Sequence, residues 1–159
     1  DEIAISPGIQ QEGKWIPLQT TVTSLFTGEQ NRDRVVPGGL VAIGTKLDPF
    51  QTKSDNLAGR MAGRPGTLPP IVDDLTMETH LLESVVGLIG ASRVTDIKTG
   101  DTLLLSVGTA KTVGSVRSAR KDTADVKLKI PICAQKGQRV AISRNFQGKW
   151  RLIGHGILK

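Results

Sequence analysis

The chain has 159 residues, of which 38% are hydrophobic and 3% aromatic, with a formal net charge of +6. This hydrophobic content excludes a disordered chain, and the scarcity of aromatic residues means that Val, Ile, Leu and Ala must build the core. Cys133 is the single cysteine, which excludes an internal disulfide, and no apolar run approaches the ~20 residues of a membrane-spanning helix. We therefore expect a folded cytoplasmic protein.

In chain order, runs rich in Val, Ile, Thr and Leu alternate with turns that contain Gly or Pro, a pattern typical of all-β proteins. Between residues 124 and 130, for example, apolar residues alternate with Asp125, Lys127 and Lys129, which predicts a strand with one solvent-facing side. Turns are predicted at 6–8, 37–39, 64–66, 99–101, 136–138 and 147–148. Strands are predicted at 2–6, 14–27, 40–45, 57–62, 71–82, 102–109, 113–120, 125–130, 139–144 and 150–158.

The segment 78–90 has some helical spacing. Val85 and Val86 are β-branched, and Gly87 and Gly90 are nearby, all of which weaken a helix. The pattern therefore favours a strand that leads into a loop.

The chain repeats one short pattern. Residues 37–44 and 136–143 each place a Gly turn before a Val-Ala-Ile strand, about a hundred residues apart. Residues 60–70 hold two Gly and three Pro from Gly63 onwards and are the best boundary. Because small antiparallel domains usually close into barrels, we predict an all-β fold of two consecutive small antiparallel β-barrels, residues 1–64 and 65–159. The chain starts inside a strand-like pattern without Met, so we expect the first barrel to be incomplete at its N-terminus.

Charge is concentrated in the second predicted domain. Residues 1–64 hold seven acidic and seven basic residues, whereas residues 65–159 hold eight acidic and fourteen basic residues. Such a regional excess of positive charge attracts polyanions and favours contact with RNA or the ribosome. The alternative is a basic surface that is only solvated.

No motif for catalysis or for a cofactor is present. The sequence has no phosphate-binding G-x-x-x-x-G-K-[ST] loop and no Cys/His set with zinc spacing. His80 and His155 are the only histidines, and a structural or surface role is favoured for each over catalysis. Asp73 and Asp74 are interpreted as solvated, and Cys133 as an inert core residue. We expect no nucleotide site, no metal site and no enzyme activity in this chain.

Several segments together resemble a known family. They are 38–49, 52–59, 66–70, 80–87, 103–108, 140–144 and 150–154. In this order they resemble the second and third domains of the gamma subunit of translation initiation factor two, archaeal type. This family belongs to the same superfamily as the elongation factor that carries aminoacyl-tRNA.

The resemblance implies two β-barrels that normally follow a GTPase domain. It further implies that the whole factor binds methionyl initiator tRNA and delivers it, in a GTP-dependent way, to the small ribosomal subunit together with alpha and beta subunits. GTP and magnesium would bind the GTPase domain, which is absent from these residues and would be another partner of the barrels. No membrane role is implied.

The resemblance and the residue chemistry together suggest three groups of site residues. For the 3′ end of the tRNA they are Arg32, Arg34, Gly38, Gly39, Leu40 and Val41, because paired glycines let a base approach the backbone and arginines can bind phosphates. For the alpha subunit they are Asp48, Lys53 and Asp55. For RNA or the ribosome they are Arg117, Arg120, Lys121, Arg139, Arg144, Lys149 and Arg151.

The sequence departs from the family at His155, where the family usually has an aromatic residue between two glycines, and this departure argues against carrying a stacking role over to this position. Three alternatives also stay open: the equivalent barrels of an elongation factor or its selenocysteine-specific relative, a protein-binding scaffold, and a hydrolase that uses a histidine.

Overall fold

The structure is a computed structural model of the chain and describes residues 1–88, 90 and 92–159. It consists of two compact units, Asp1–Leu68 and Pro69–Lys159, called here unit 1 and unit 2. The prediction of a β fold is confirmed, because strands make up most of both units.

Unit 1 is an open antiparallel sheet of five strands. The strand order is β3-β2-β1-β5, and β4 also pairs with β2. The strands are β1 (Glu2–Gln11), β2 (Lys14–Thr27), β3 (Gln30–Asn31), β4 (Ala42–Thr45) and β5 (Met61–Gly63).

The hairpin of β1 and β2 is the centre of this sheet. Its buried residues include Ala4, Ile5 and Leu18. The turn predicted at 6–8 is wrong, because these residues lie within β1, where the register with β2 shifts. Gly8 has a φ of +82°, and a Cβ there would overlap the backbone of Ile16, so this irregular point in the strand requires glycine.

A short helical turn was missed by the sequence interpretation. It consists of α1 (Pro49–Thr52) and a 3₁₀ turn, Lys53–Asp55. The Asp48 side chain caps α1 by accepting a hydrogen bond from the Phe50 N–H at 2.9 Å. The predicted strand 57–62 begins only at Met61, because the residues after the 3₁₀ turn form a further turn.

Unit 2 is a closed six-stranded antiparallel barrel in the order β10-β11-β6-β9-β8-β7. Its core consists of the inward residues at alternate positions along the strands, among them Met77, Leu103, Leu105, Val140 and Ile142, each 0% exposed. The strands are β6 (Ile71–Leu81), β7 (Thr102–Val107), β8 (Ala110–Arg120), β9 (Thr123–Cys133), β10 (Arg139–Phe146) and β11 (Lys149–Leu158).

In the segment 82–101, which connects β6 to β7, the described residues on either side of 89–91 bond to each other and pack on the barrel. Val85 donates its N–H to Ser92 and Val94 donates to Glu83, so the two arms of the segment are bonded together. Val85 is buried in the core of the barrel. The predicted strand leading into a loop matches this geometry, although Ile89 lies outside the described residues.

The antiparallel register divides the barrel into two ends. At one end, called here the upper end, lie the first residues of β7, β9 and β11 and the last residues of β6, β8 and β10. The opposite, lower end gathers the start of β10, the end of β11 and the hairpin of β7 and β8.

Candidate RNA-binding surfaces

Unit 1 contains an open cavity of about 820 Å³. Three guanidinium groups, those of Arg32, Arg34 and Arg64, line it together with the acidic residues Asp1 and Asp33. The sequence interpretation chose Arg32 and Arg34 but missed Arg64, because Arg64 is thirty residues further along the chain and no local pattern links it to them.

The three arginines differ in how they are held. Arg32 donates from Nε to Thr27 Oγ1 at 3.0 Å and from Nη2 to Gln30 Oε1, so its guanidinium is fixed at the rim. In the part of the chain that the structure describes, the guanidinium groups of Arg34 and Arg64 make no hydrogen bond or ion pair. These two groups can therefore bind an anion without losing an existing contact.

The glycine turn lies outside the residues that line this cavity. Gly38 and Gly39 have φ angles of +120° and +71°, with open space where a Cβ would be. Leu40 is 91% exposed and Val41 is half-buried. The glycines are thus required by the backbone conformation of the turn, and the structure brings neither of them to the arginines.

The residues assigned to the alpha subunit lie on the surface around α1. Asp48, Lys53 and Asp55 are all exposed, and Asp48 has a structural role as the helix cap. Phe50, which projects from the same turn, is 79% exposed. The sequence interpretation missed Phe50 because it did not predict the helix.

The basic residues of unit 2 do not form one surface. Arg120, Lys121 and Lys149 are exposed at the upper end of the barrel, whereas Arg139 is exposed at the lower end. Arg117 is also exposed, but its Nη1 lies 3.3 Å from Asp74 Oδ1 in an ion pair. Three cations at one end are thus available to an RNA phosphate.

Arg144 and Arg151 point toward the mouth of the barrel instead of the outer surface. They are opposite each other in the register of β10 and β11. Arg144 shares a strand face with the buried Ile142, and Arg151 shares one with the buried Ile153. The Arg144 guanidinium bonds to Thr95, Asp96 and Asp101, and Arg151 is packed so closely under Gly87 that a Cβ there would be 2.7 Å from Nη1. We therefore leave both out of the proposed RNA surface.

Lys127 is neutralised by the two aspartates that the sequence interpretation considered solvated. Its Nζ lies 2.5 Å from Asp73 Oδ2 and 3.0 Å from Asp74 Oδ2. The hydrogen bond with Lys127 lowers the pKa of Asp73, and the same bond raises the pKa of Lys127. Lys129, the other lysine on the outer face of β9, forms no ion pair with either aspartate among the described residues.

The two histidines stack on the outside of the barrel. His80 and His155 are directly opposite in the register of β6 and β11, with ring centroids 4.9 Å apart and an interplanar angle of 16°. His80 Nε2 also lies 3.2 Å from Glu78 Oε1. In the described residues, the side-chain contacts of the two rings are this stack and the His80–Glu78 pair.

The described residues contain no group of three or more His, Cys, Asp or Glu arranged to hold a metal ion. Within the same residues, none of the helices has the length and apolar character to cross a membrane.

Comparison with known proteins places the chain in a family. A family model described as the C-terminal part of initiation factor eIF2 gamma matches residues 73–158. The chain belongs to the initiation factor 2 gamma family. This confirms the resemblance found in the sequence and removes the elongation-factor alternative.

Three archaeal proteins illustrate the similarity. The chain is 55% identical over 163 residues to translation initiation factor 2 subunit gamma of Methanothermobacter thermautotrophicus, covering 100% of the chain and 40% of that protein. It is 52% identical to the same subunit of Thermococcus kodakarensis, with 40% of that protein covered. For Methanopyrus kandleri the values are 53% identity and 39% coverage. The chain thus spans about two fifths of the length of these relatives.

Proposed function

We propose that the chain is the β-barrel part of an initiation factor gamma subunit that binds methionyl initiator tRNA and delivers it to the small ribosomal subunit. The family assignment supports a role in translation initiation. The single observation that carries the RNA-binding part of the proposal is the cavity of unit 1, which is lined by both Arg34 and Arg64, two guanidinium groups without a partner among the described residues.

The cavity has the chemistry that a tRNA 3′ end requires. Guanidinium groups bind phosphate through strong, charge-assisted hydrogen bonds with a fixed fork geometry. Leu25 and Ile43 also line the cavity and offer an apolar wall for a base or for a methionyl side chain. Asp33 lies beside the arginines and can accept a hydrogen bond from a ribose hydroxyl. We assign the 3′ end to this cavity, whose lining does not include Gly38 to Val41.

Unit 2 supplies the long-range attraction. Its fourteen basic residues against eight acidic ones give a net charge of +6, whereas unit 1 is neutral. An excess of this kind raises the rate at which a polyanion is captured and makes its binding dependent on salt. Arg120, Lys121 and Lys149 are the cations proposed to contact RNA at the upper end of the barrel.

The other partners of the proposal are the alpha and beta subunits and a GTPase domain that binds GTP and magnesium. The alpha subunit is proposed to contact the surface around Asp48, Lys53 and Asp55, where Phe50 adds an apolar group that a partner can cover. GTP hydrolysis is assigned to the GTPase domain and to no residue of this chain.

The proposal is tested with paired charge removals in the longer, GTP-bound factor. Arg34→Gln combined with Arg64→Gln should weaken binding of methionyl initiator tRNA more than tenfold, a loss above ~1.4 kcal/mol. The matched control is Lys14→Gln combined with Lys46→Gln, which removes the same charge from unit 1 outside the cavity lining. Equal effects of the two pairs would show that only overall charge matters, and the cavity assignment would then be wrong.

A further inference from the structure

A row of outward side chains crosses five strands of the barrel at one level. In the strand register, His80 is opposite His155, His155 is opposite Ala141, Ala141 is opposite Ser106, and Ser106 is opposite Lys111. Their neighbours along the strands, such as Val140 and Leu105, are 0% exposed and point inward, so the row faces outward. We call these five residues the His80–Lys111 row.

Two glycines hold the rings of this row together. A Cβ at Gly154 would overlap the carbonyl oxygen of His80 and would be 2.9 Å from the Cα of Leu81. A Cβ at Gly156 would be 2.7 Å from Met77 Sδ. Side chains at these two positions would therefore collide with β6 beside the His80–His155 stack.

Beyond the two histidine rings, the side chains of the row are short. Ala141 and Ser106 have the small side chains that follow His155 across β10 and β7. Neighbouring strands are roughly 4.8 Å apart, so the distance from the His155 strand to the Lys111 strand is about 14 Å. His80 stacks on one face of the His155 ring, and this floor of small side chains follows His155 in the strand register on the side away from His80.

The part of the row beyond Ala141 and Ser106 carries positive charge. Lys111 is exposed at the end of the row, and Arg139, also exposed, lies two residues from Ala141 on the same face of β10. The nearby carboxylate of Glu78 is engaged on the opposite side of the row, by His80 at 3.2 Å and by Lys159 at 3.7 Å. The surface therefore presents, in order, the flat ring of His155, the short side chains of Ala141 and Ser106, and the two cations Lys111 and Arg139.

We propose that the His80–Lys111 row binds one unpaired nucleotide of an RNA. Its base stacks on the open face of His155 above Ala141, its ribose lies over Ser106, and its phosphate meets Lys111 and Arg139. Stacking of bases on aromatic rings beside a basic groove is how single strands are held without sequence selection. An acidic peptide would satisfy the cations but would leave the ring and the floor unused. The inference rests on the RNA-binding role proposed above, and it adds a site on the outer wall of unit 2.

The chain has only two histidines, which makes the test direct. In a chain labelled with ¹³C-histidine, two imidazole signals are followed at constant pH while an oligouridine of about six nucleotides is added. The base should move the His155 signal by its ring current, whereas an abasic ribose-phosphate chain of the same length should not. Equal shifts with both polymers, or none with either, would overturn the proposal, as would a polyglutamate peptide that competes as well as the RNA.

Single-residue variants distinguish a loss of base stacking from a general loss of folded structure. His155→Ala should weaken oligouridine binding by about 5- to 150-fold, the range for losing one stacked base, while His155→Trp should retain it. Lys111→Gln should reduce the slope of log K against log salt by roughly 0.7, the value for one phosphate contact on a single strand. Lys129→Gln on β9, outside the row, is the control and should change neither. An unchanged affinity of His155→Ala in a folded chain contradicts the row.

The outcome is separable from that of the proposed function. If the His155 variant binds oligouridine normally while the longer factor still binds initiator tRNA, the row is wrong and the tRNA cavity stands. If oligouridine binding depends on His155 but initiator tRNA is not bound, the row stands and the tRNA assignment fails.

Discussion

Arg144 Nη2 lies 3.0 Å from Asp101 Oδ2, in an ion pair whose side chains are only 17% and 29% exposed. The same guanidinium donates to the carbonyl oxygen of Thr95 at 3.1 Å, to Thr95 Oγ1 at 2.9 Å and to the carbonyl oxygen of Asp96 at 3.1 Å. One side chain of β10 thus fastens the end of the segment 82–101 to the mouth of the barrel.

The first prediction is that Arg144→Ala destabilises unit 2 by about 2–3 kcal/mol, because hydrogen bonds to a charged group contribute about 1.5–3 kcal/mol and Asp101 would lose its partner. Chemical denaturation measures the change. Lys149→Ala, an exposed change at the same end of the barrel, should stay within about 0.5 kcal/mol. Identical unfolding midpoints for the two variants would show that Arg144 is not a structural clamp.

The second prediction concerns Thr112, which is 2% exposed. Its Oγ1 donates to the Ile130 carbonyl oxygen at 2.8 Å and accepts from the Ile130 N–H at 3.2 Å. Thr112→Val keeps the shape but removes both bonds, so it should cost about 1–3 kcal/mol of unfolding free energy. Thr76→Val removes an exposed hydroxyl bonded to Asp125 and should cost less than about 0.5 kcal/mol. Comparable losses in the two variants would contradict the argument from burial.

The third prediction compares the two glycines beside His155. Gly154→Ala should lower the free energy of unfolding by an amount at or above the upper end of the ~1–3 kcal/mol range typical of overpacking. The reason is that the new methyl group meets the backbone of His80 and Leu81. Gly156→Ala meets the flexible Met77 side chain and should cost less. Thermal unfolding ranks the variants, and a Gly156→Ala chain that melts lower than Gly154→Ala would reverse the account.

The fourth prediction follows from the lowered pKa of Asp73, caused first by its hydrogen bond with Lys127. A lowered carboxyl pKa contributes stability above the usual pKa of the group, and this contribution is lost as pH falls through the folded-state value. The raised pKa of Lys127 works in the other direction, with a contribution lost as pH rises through its folded-state value. In Lys127→Met, NMR titration should show the Asp73 pKa higher than in the parent chain, whereas Lys129→Met should leave it nearly unchanged. A pKa that does not move would mean that the ion pair is absent in solution.

The strands could be predicted from the sequence because alternation is strong where one face is buried, as in 124–130. The turn α1 could not, since four residues give no helical period and only Asp48 and Pro49 signal it. The resemblance to the family was readable from co-linear segments, and the comparisons confirm it.

The site was only partly predictable. Arg144 and Arg151 look like surface cations in the sequence, but strand parity and the bulge between β10 and β11 direct them to the barrel mouth. Arg64 and Arg34 line the same cavity only because the fold of unit 1 brings together residues thirty positions apart. His80 lies opposite His155 only because of the register between β6 and β11. Long-range pairing of this kind leaves no local signal.

The most direct test of the central claim, that the unit 1 cavity takes the 3′ end of initiator tRNA, is a double-perturbation cycle in the longer GTP-bound factor. The affinity for methionyl initiator tRNA is compared with that for the same tRNA lacking its terminal adenosine and methionine, in the parent protein and in the Arg34→Gln, Arg64→Gln variant. The account predicts that truncating the tRNA costs the parent more than tenfold and costs the variant much less, because the two changes remove the same contacts. A truncation penalty that is equal in both proteins would contradict it.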